Sequence, residues 1–366
     1  MGAVSSIDAQ QVPQGATRFV SLDPEFLDVL GEGPRLEHVV AADAHEGPVY
    51  VPDEDALYFT SLPRQIDASG SPVVAIQRVD LDGDRFPVGA DRISVVPAEA
   101  NVANGMALDL DGSLVICQQG TMASDAAIGR LHRTNGELET VVDRWRGLRF
   151  NSPNDIVVRS DSTLWFTDPS YGFLQGFKPE PETGDHVYRY DPVADRVTVV
   201  ADAFDKPNGL AFSPDERTLY ITDSGANQEA GSFYAGRPHH VMAFDVLDER
   251  HLSAGRLFAV ITPGVPDGIK VDDAGCVYVS GASGVQVFSP AGDLIGEISL
   301  PGAVNFAFGG LDRNVLFITT DTDIWAAVVQ ATGGPRQRTS MSEAVGPSTG
   351  RERDRHGSDS HPQGHR

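Results

Sequence analysis

One pattern recurs six times in this chain and limits what it can fold into. The segment "NGLAFSPDERTLYITD" from Asn208 aligns with "EGPVYVPDEDALYFTSL" from Glu46, "NGMALDLDGSLVICQQ" from Asn104, "NDIVVRSDSTLWFTDP" from Asn154, "DGIKVDDAGCVYVSGA" from Asp267 and "NFAFGGLDRNVLFITTD" from Asn305. The six starts are separated by 58, 50, 54, 59 and 38 residues. Each copy reads as a polar head, a short alternating strand, an Asp/Gly-rich turn and a β-branched or aromatic strand, which is the signature of a hairpin. Several copies add a third strand: "AIQRVDLDG", "HVYRYDP", "HVMAFDV" and "GVQVFSP". Helical periodicity is almost absent. A pair of β-sandwiches would not call for six similar units, whereas radial repetition of small sheets does. The expected fold is all-β, a six-bladed β-propeller. "PRLEHVVA", ahead of the first copy, is expected to close the ring as the outer strand of the last blade.

In a propeller the first strand of each blade lines the axis, so the six heads converge on one channel mouth. Glu46, Asn104, Asn154, Asn208, Asp267 and Asn305 all carry a side-chain oxygen. Asn and Asp before Gly also suit turns, but Glu46 does not. A ring of oxygens with two carboxylates and no Cys or His favours a hard cation, Ca²⁺ first, with Mg²⁺ or Mn²⁺ as alternatives and Zn²⁺ less suited. The second strand of each hairpin returns to the same face. The loops after it are therefore placed around the mouth, the longest following Asp168 and Asp223. Tyr171, Phe173, Phe177, Phe233 and Tyr234 are expected pocket walls. Among other catalytic signatures, the repeats contain no G-x-S-x-G elbow, and no phosphate loop, dinucleotide fingerprint or H-E-x-x-H occurs.

Net charge bounds the partners. The formal charge is -24, and the last 36 residues hold six Arg against four Asp or Glu, so residues 1–330 carry -26. Such a surface repels nucleic acid and anionic membranes. The two cysteines, Cys117 and Cys276, make no disulfide framework, and neither a signal peptide nor a membrane span is legible, so a cytoplasmic location is expected. The expected organisation is a flexible N-terminus over 1–16, the propeller over 17–330, and a disordered tail over 331–366, rich in Gly, Ser, Pro and charge.

The motifs "HEGPVY", "NSPNDIVV", "FTDPSYG", "KPNGLAFSPD", "PDGIKVD" and "FAFGG", in this order over residues 40–325, resemble those of the regucalcin, gluconolactonase and luciferin-regenerating-enzyme family. The resemblance implies a six-bladed propeller with Ca²⁺ at the channel mouth, held by Glu46, Asn154, Asn208 and Asp267. It also implies hydrolysis of small lactones, with Asp267 as the base; Asn104, Asn151, Asp168 and Tyr171 are the expected substrate contacts. Asp155 and Asp168 are alternative bases. Organophosphate esters are an alternative substrate class, and a non-enzymatic scaffold the rival role. Where many relatives carry a His and Arg pair after the second copy, this chain reads "CQQGTMASDAAIGR", with Gln119 in place of the His.

Overall fold

A computed structural model describes residues 18–334, apart from positions 64, 68, 69, 230 and 249 and the side chain of Gln65. Each repeat becomes one antiparallel sheet, and the six sheets follow in chain order. Blade 1 runs from its inner strand Glu46–Val51 through Ala56–Thr60 and Ile76–Asp80 to Ile93–Val95. Blades 2 to 6 begin with inner strands Ala103–Leu108, Ile156–Val158, Pro207–Phe212, Ile269–Val271 and Phe306–Gly309. Each inner strand touches the inner strands of both neighbours, and the last touches the first, so the ring is closed.

Apolar residues of the middle strands fill the seams between blades. Trp165 of blade 3 meets Phe212 of blade 4 edge-on at 5.4 Å, and Tyr50 of blade 1 stacks on Phe317 of blade 6 at 5.9 Å. These rings bury large apolar areas in good aromatic geometry. Near the axis the spacing is tighter. A Cβ on Gly47 would lie 2.5 Å from the carbonyl oxygen of Asn104, and one on Gly105 would lie 2.5 Å from that of Asn154. Gly209 and Gly268 face the heads of blades 5 and 6 in the same way. The glycine of the Asn208-Gly209 pair is therefore not a turn residue. It lies inside a strand, where the next blade leaves no room for a side chain.

Hydroxyls complete these seams. Thr167 Oγ1 donates to the Asn208 carbonyl at 2.7 Å, Thr222 Oγ1 to that of Asp267 at 3.1 Å, Ser280 Oγ to that of Val304 at 2.6 Å and Thr319 Oγ1 to that of His45 at 2.7 Å. Thr60 Oγ1 reaches the Asn104 carbonyl at 3.4 Å. Cys117 holds the equivalent place in blade 2, where the Gly105 N–H instead donates to the Asn154 carbonyl at 2.7 Å.

The chain start fastens the ring twice. Arg35–Ala41 pairs with Asp323–Val328 as the outer strand of blade 6, as expected of "PRLEHVVA". Phe19–Ser21 adds a fifth strand to blade 5 by pairing with Leu294–Ser299, which the repeats did not reveal. Between them the short helix Phe26–Leu30 lays the fully buried Phe26 over Gly296, where a Cβ would overlap the ring. At the other end, the stretch 331–334, expected to belong to the tail, is tied to blade 5. Gly333 bridges to Asp272, and Thr332 Oγ1 donates to Asp273 at 3.0 Å. The rest of the expected tail and the expected flexible N-terminus lie outside the described residues. Among the described residues, no helix is long and apolar enough to cross a membrane.

Phe26→Ala is expected to lower unfolding free energy by about 3–5 kcal/mol, read by chemical denaturation, because the glycine beneath cannot fill the space.

Candidate active site

The inner strands deliver their heads to one cavity of about 230 Å³ at the channel mouth. Five heads line it: Glu46, Asn104, Asn154, Asn208 and Asp267. Their backbones are committed to the seams, which leaves the side chains to face the axis. The Oδ1 atoms of Asn104 and Asn154 are buried and accept no hydrogen bond. Buried amide oxygens are normally paired, so two orphans in one cavity mark a place built for an electron-poor ligand.

The sixth head behaves differently. Asn305 Nδ2 donates to Glu46 Oε2 at 2.7 Å, and its Oδ1 accepts the Phe306 N–H at 2.8 Å. Asn305 does not line the cavity; it braces Glu46 from behind. Asn208 is oriented too. Its Nδ2 donates to Ser224 Oγ at 3.1 Å and its amide also bonds Asp267. Ser224 Oγ in turn donates to the Pro266 carbonyl at 2.5 Å, tying blade 4 to the head of blade 5.

The electrostatics fit a cation. Burial lifts the Asp267 carboxyl well above the usual carboxylate range, and the nearby Glu46 lifts it further, against the bond from Asn208. Burial also raises Glu46, opposed by His45 and the Asn305 amide. Two carboxylates held against their own ionisation, beside two unpaired amide oxygens, suit a hard dication with oxygen ligands. Glu46, Asn154, Asn208 and Asp267 all line the cavity. Among the described residues, no three His, Cys, Asp or Glu groups converge as a metal cluster, so most of the donors here are amides.

Three expected site residues stand behind the wall. Both oxygens of Asp168 accept backbone N–H groups, Asn151 at 2.9 Å and Ser152 at 2.8 Å. Asp223, its counterpart in blade 4, does the same for Asp205 and Lys206. Asp168 is fully buried, and burial pushes it up to about 8 against those backbone bonds. Asn151 donates to the carbonyls of Asp168 and Gly184 at 3.1 and 3.0 Å. Both residues hold the loop that leads into Asn154, and neither lines the cavity. Asp155 is also set back: its Oδ1 accepts the Ile156 N–H at 2.9 Å, and its Oδ2 lies 4.0 Å from Lys270 Nζ.

Tyr171, at the start of the helix Tyr171–Leu174, does line the cavity. The other aromatic walls are corrected. Phe173, Phe233 and Tyr234 are exposed, and Phe177 is buried away from the mouth. Sequence reasoning placed the right loops but missed their contributors: Ser61, Gln175, Asn227, Gln228 and Glu229, with His45 beside the first head. His45 Nδ1 meets Asp321 Oδ1 at 2.7 Å; burial opposes its protonation, and that bond with nearby carboxylates outweighs the burial. Gln119, noted in sequence as a substitution, lines the cavity.

Fold and site together define a class: a six-bladed propeller whose axial cavity is walled by amide and carboxylate oxygens. Within that class the chain belongs to the SMP-30/gluconolactonase/LRE-like family, whose model matches residues 44–322. It is similar to a gluconolactonase of Zymomonas mobilis, 28% identical over 77% of each chain. It is also similar to the lactonohydrolase oryL of Aspergillus oryzae, 29% identical over 79% of this chain and 69% of that one. Among solved structures, a Xanthomonas campestris gluconolactonase superimposes with a TM-score of 0.70 at 31% identity, covering 87% of this chain and 97% of the other. A regucalcin from Agrobacterium tumefaciens, at 18% identity and a TM-score of 0.60, shares the fold over 81% of this chain and 93% of that one.

Asp168→Asn is expected to strand one of the two backbone N–H groups and to cost about 1–3 kcal/mol of stability in denaturant titrations. The cavity-facing Asn154→Ala, which loses no bond at Oδ1, is expected to cost less.

Proposed function

We propose that this protein is a lactonase, a divalent-cation-dependent hydrolase that opens a small lactone of the sugar type. The observation that carries the proposal is the cavity itself: five oxygen-bearing heads, two of them carboxylates and two with unpaired amide oxygens, around a space of about 230 Å³. The relatives matched over three quarters of this chain, a gluconolactonase and a lactonohydrolase, support the substrate class.

Glu46, Asn154, Asn208 and Asp267 are the proposed metal-binding residues, with Ca²⁺ the preferred ion. When bound, such an ion supplies Lewis-acid polarisation of the ester carbonyl. Asp267 is the proposed base. Its carboxylate takes a proton from an attacking water. Asn208 holds the Asp267 carboxylate in place through its amide, and Asn305 does the same for Glu46. Asn104 and Tyr171 position the lactone from the wall, while Asn151 and Asp168 act one layer back by fixing the loop before Asn154.

A panel of five- and six-membered lactones and phosphotriesters, assayed with and without Ca²⁺, tests the reading. Ca²⁺-dependent opening of a lactone is the expected result. Cleavage of phosphotriesters alone would keep the site and refute the substrate. Asp267→Asn is expected to lower turnover by ~10²- to 10⁴-fold. Near-wild-type turnover in that variant would remove Asp267 as the base.

A further inference from the structure

The cavity wall contains one residue in a conformation its side chain disfavours. Val102 has φ +56° and follows Asn101 at φ +47°. A β-branched residue in the left-handed region is a real outlier. The other non-glycine residues with positive φ among those described are Asp, Asn, Arg, Ser or Glu. Val102 is nonetheless buried and lines the cavity.

The sequence lets blade 2 do this where three other blades cannot. In blades 3, 4 and 5 a proline precedes the head: Pro153, Pro207 and Pro266. Proline pushes the residue before it to extended backbone. Blade 2 has Ala103 there, so the lead-in is free to turn. The left-handed pair is then held by four bonds to the loop after the second strand. Gln119 N–H donates to the Val102 carbonyl and Gly120 N–H to that of Asn101, both at 3.1 Å. Asn101 Nδ2 donates to the Asp125 carbonyl at 2.9 Å, and its Oδ1 accepts from Ser124 Oγ at 2.6 Å. A strained conformation fixed this firmly beside a binding cavity points to function.

What the strain achieves is a sided pocket. The aliphatic lining, Pro63, Val74, Val102 and Ala103, comes wholly from blades 1 and 2, where the polar contributors beside the heads are His45, Ser61 and Gln119. The loops of blades 3 and 4 line it with Tyr171, Gln175, Asn227, Gln228 and Glu229. Amides offer a donor and an acceptor together, which matches hydroxyls. A hydroxyl set against an isopropyl group loses its water and gains no partner.

We infer that Val102 is a specificity-determining residue, and that the substrate is a two-sided lactone with hydroxyls on one edge and an unhydroxylated or alkyl-bearing carbon against Val102. The inference rests on the lactone-opening reading above and narrows it. Two variants separate this role from a structural one. Val102→Thr keeps the shape and adds a hydroxyl to the wall. Val102→Gly removes the wall and places at φ +56° the one residue that adopts it freely.

The probes are δ-hexalactone, a methyl-bearing six-membered lactone, and D-glucono-δ-lactone. V102T is expected to shift the ratio of their kcat/KM values about tenfold toward the sugar lactone, through the KM of δ-hexalactone. V102G is expected to weaken δ-hexalactone selectively while its melting temperature holds or rises. A ratio unchanged in both variants, with lactone hydrolysis intact, overturns the assignment of Val102 alone. A wild-type protein that opens neither lactone overturns the hydrolytic reading and this inference with it.

Discussion

The close approach of neighbouring blades at the axis is the constraint on which this structure depends. Glycines follow four of the six heads because the adjoining head, by its backbone or at Gly268 by the Asn305 side chain, occupies the space of a Cβ. Hydroxyls from the second strands, Thr167, Thr222, Ser280 and Thr319 among them, then donate across the seams to carbonyls at or beside the next head. These bonds consume the polar backbone of the heads, as burial requires. The head side chains are left with one direction to face, and the ring turns six repeats of a hairpin into one convergent site.

Convergence has an electrostatic consequence. Glu46 and Asp267 face one cavity, and Asp155 sits close enough to raise both. The fold moderates this with neutral groups and with His45, which lines the cavity beside Glu46. Asn305 donates to Glu46 and Asn208 to Asp267, while Lys270 lies behind the wall near Asp155. Carboxylates so arranged are destabilising when ionised and alone. A dication at the mouth would relieve that cost, which is why the proposed metal role and the packing of the ring belong to one account.

Much of this was legible in the sequence. The sixfold repeat fixed blade number, the heads named five cavity residues, and the second-strand ends located the mouth loops. The rest was hidden for identifiable reasons. Phe19–Ser21 and the helix bearing Phe26 have no counterpart in the repeats, so nothing periodic marked them. Asn305 matches a head by position, but its short reach to Glu46 turns it into a brace. Asp168 follows a second strand as a mouth residue should, yet both its oxygens serve the backbone before Asn154, as Asp223 does one blade on. The exposed Phe173 and Phe233 show that aromatic content in a mouth loop does not reveal which way a ring points. The signal for Val102 was partial: Ala103 stands where three other blades carry proline, but so do His45 and Val304.

The account turns on whether the ring of heads binds a metal. A calorimetric titration of EDTA-dialysed protein with Ca²⁺, run beside Glu46→Gln, measures this without any assumption about substrate. The account predicts one tight site in the wild type and clearly weaker binding in the variant, which lacks one of two neutralising charges but keeps an oxygen ligand. Absence of binding by any divalent cation, or binding undisturbed by the loss of the Glu46 charge, would contradict it.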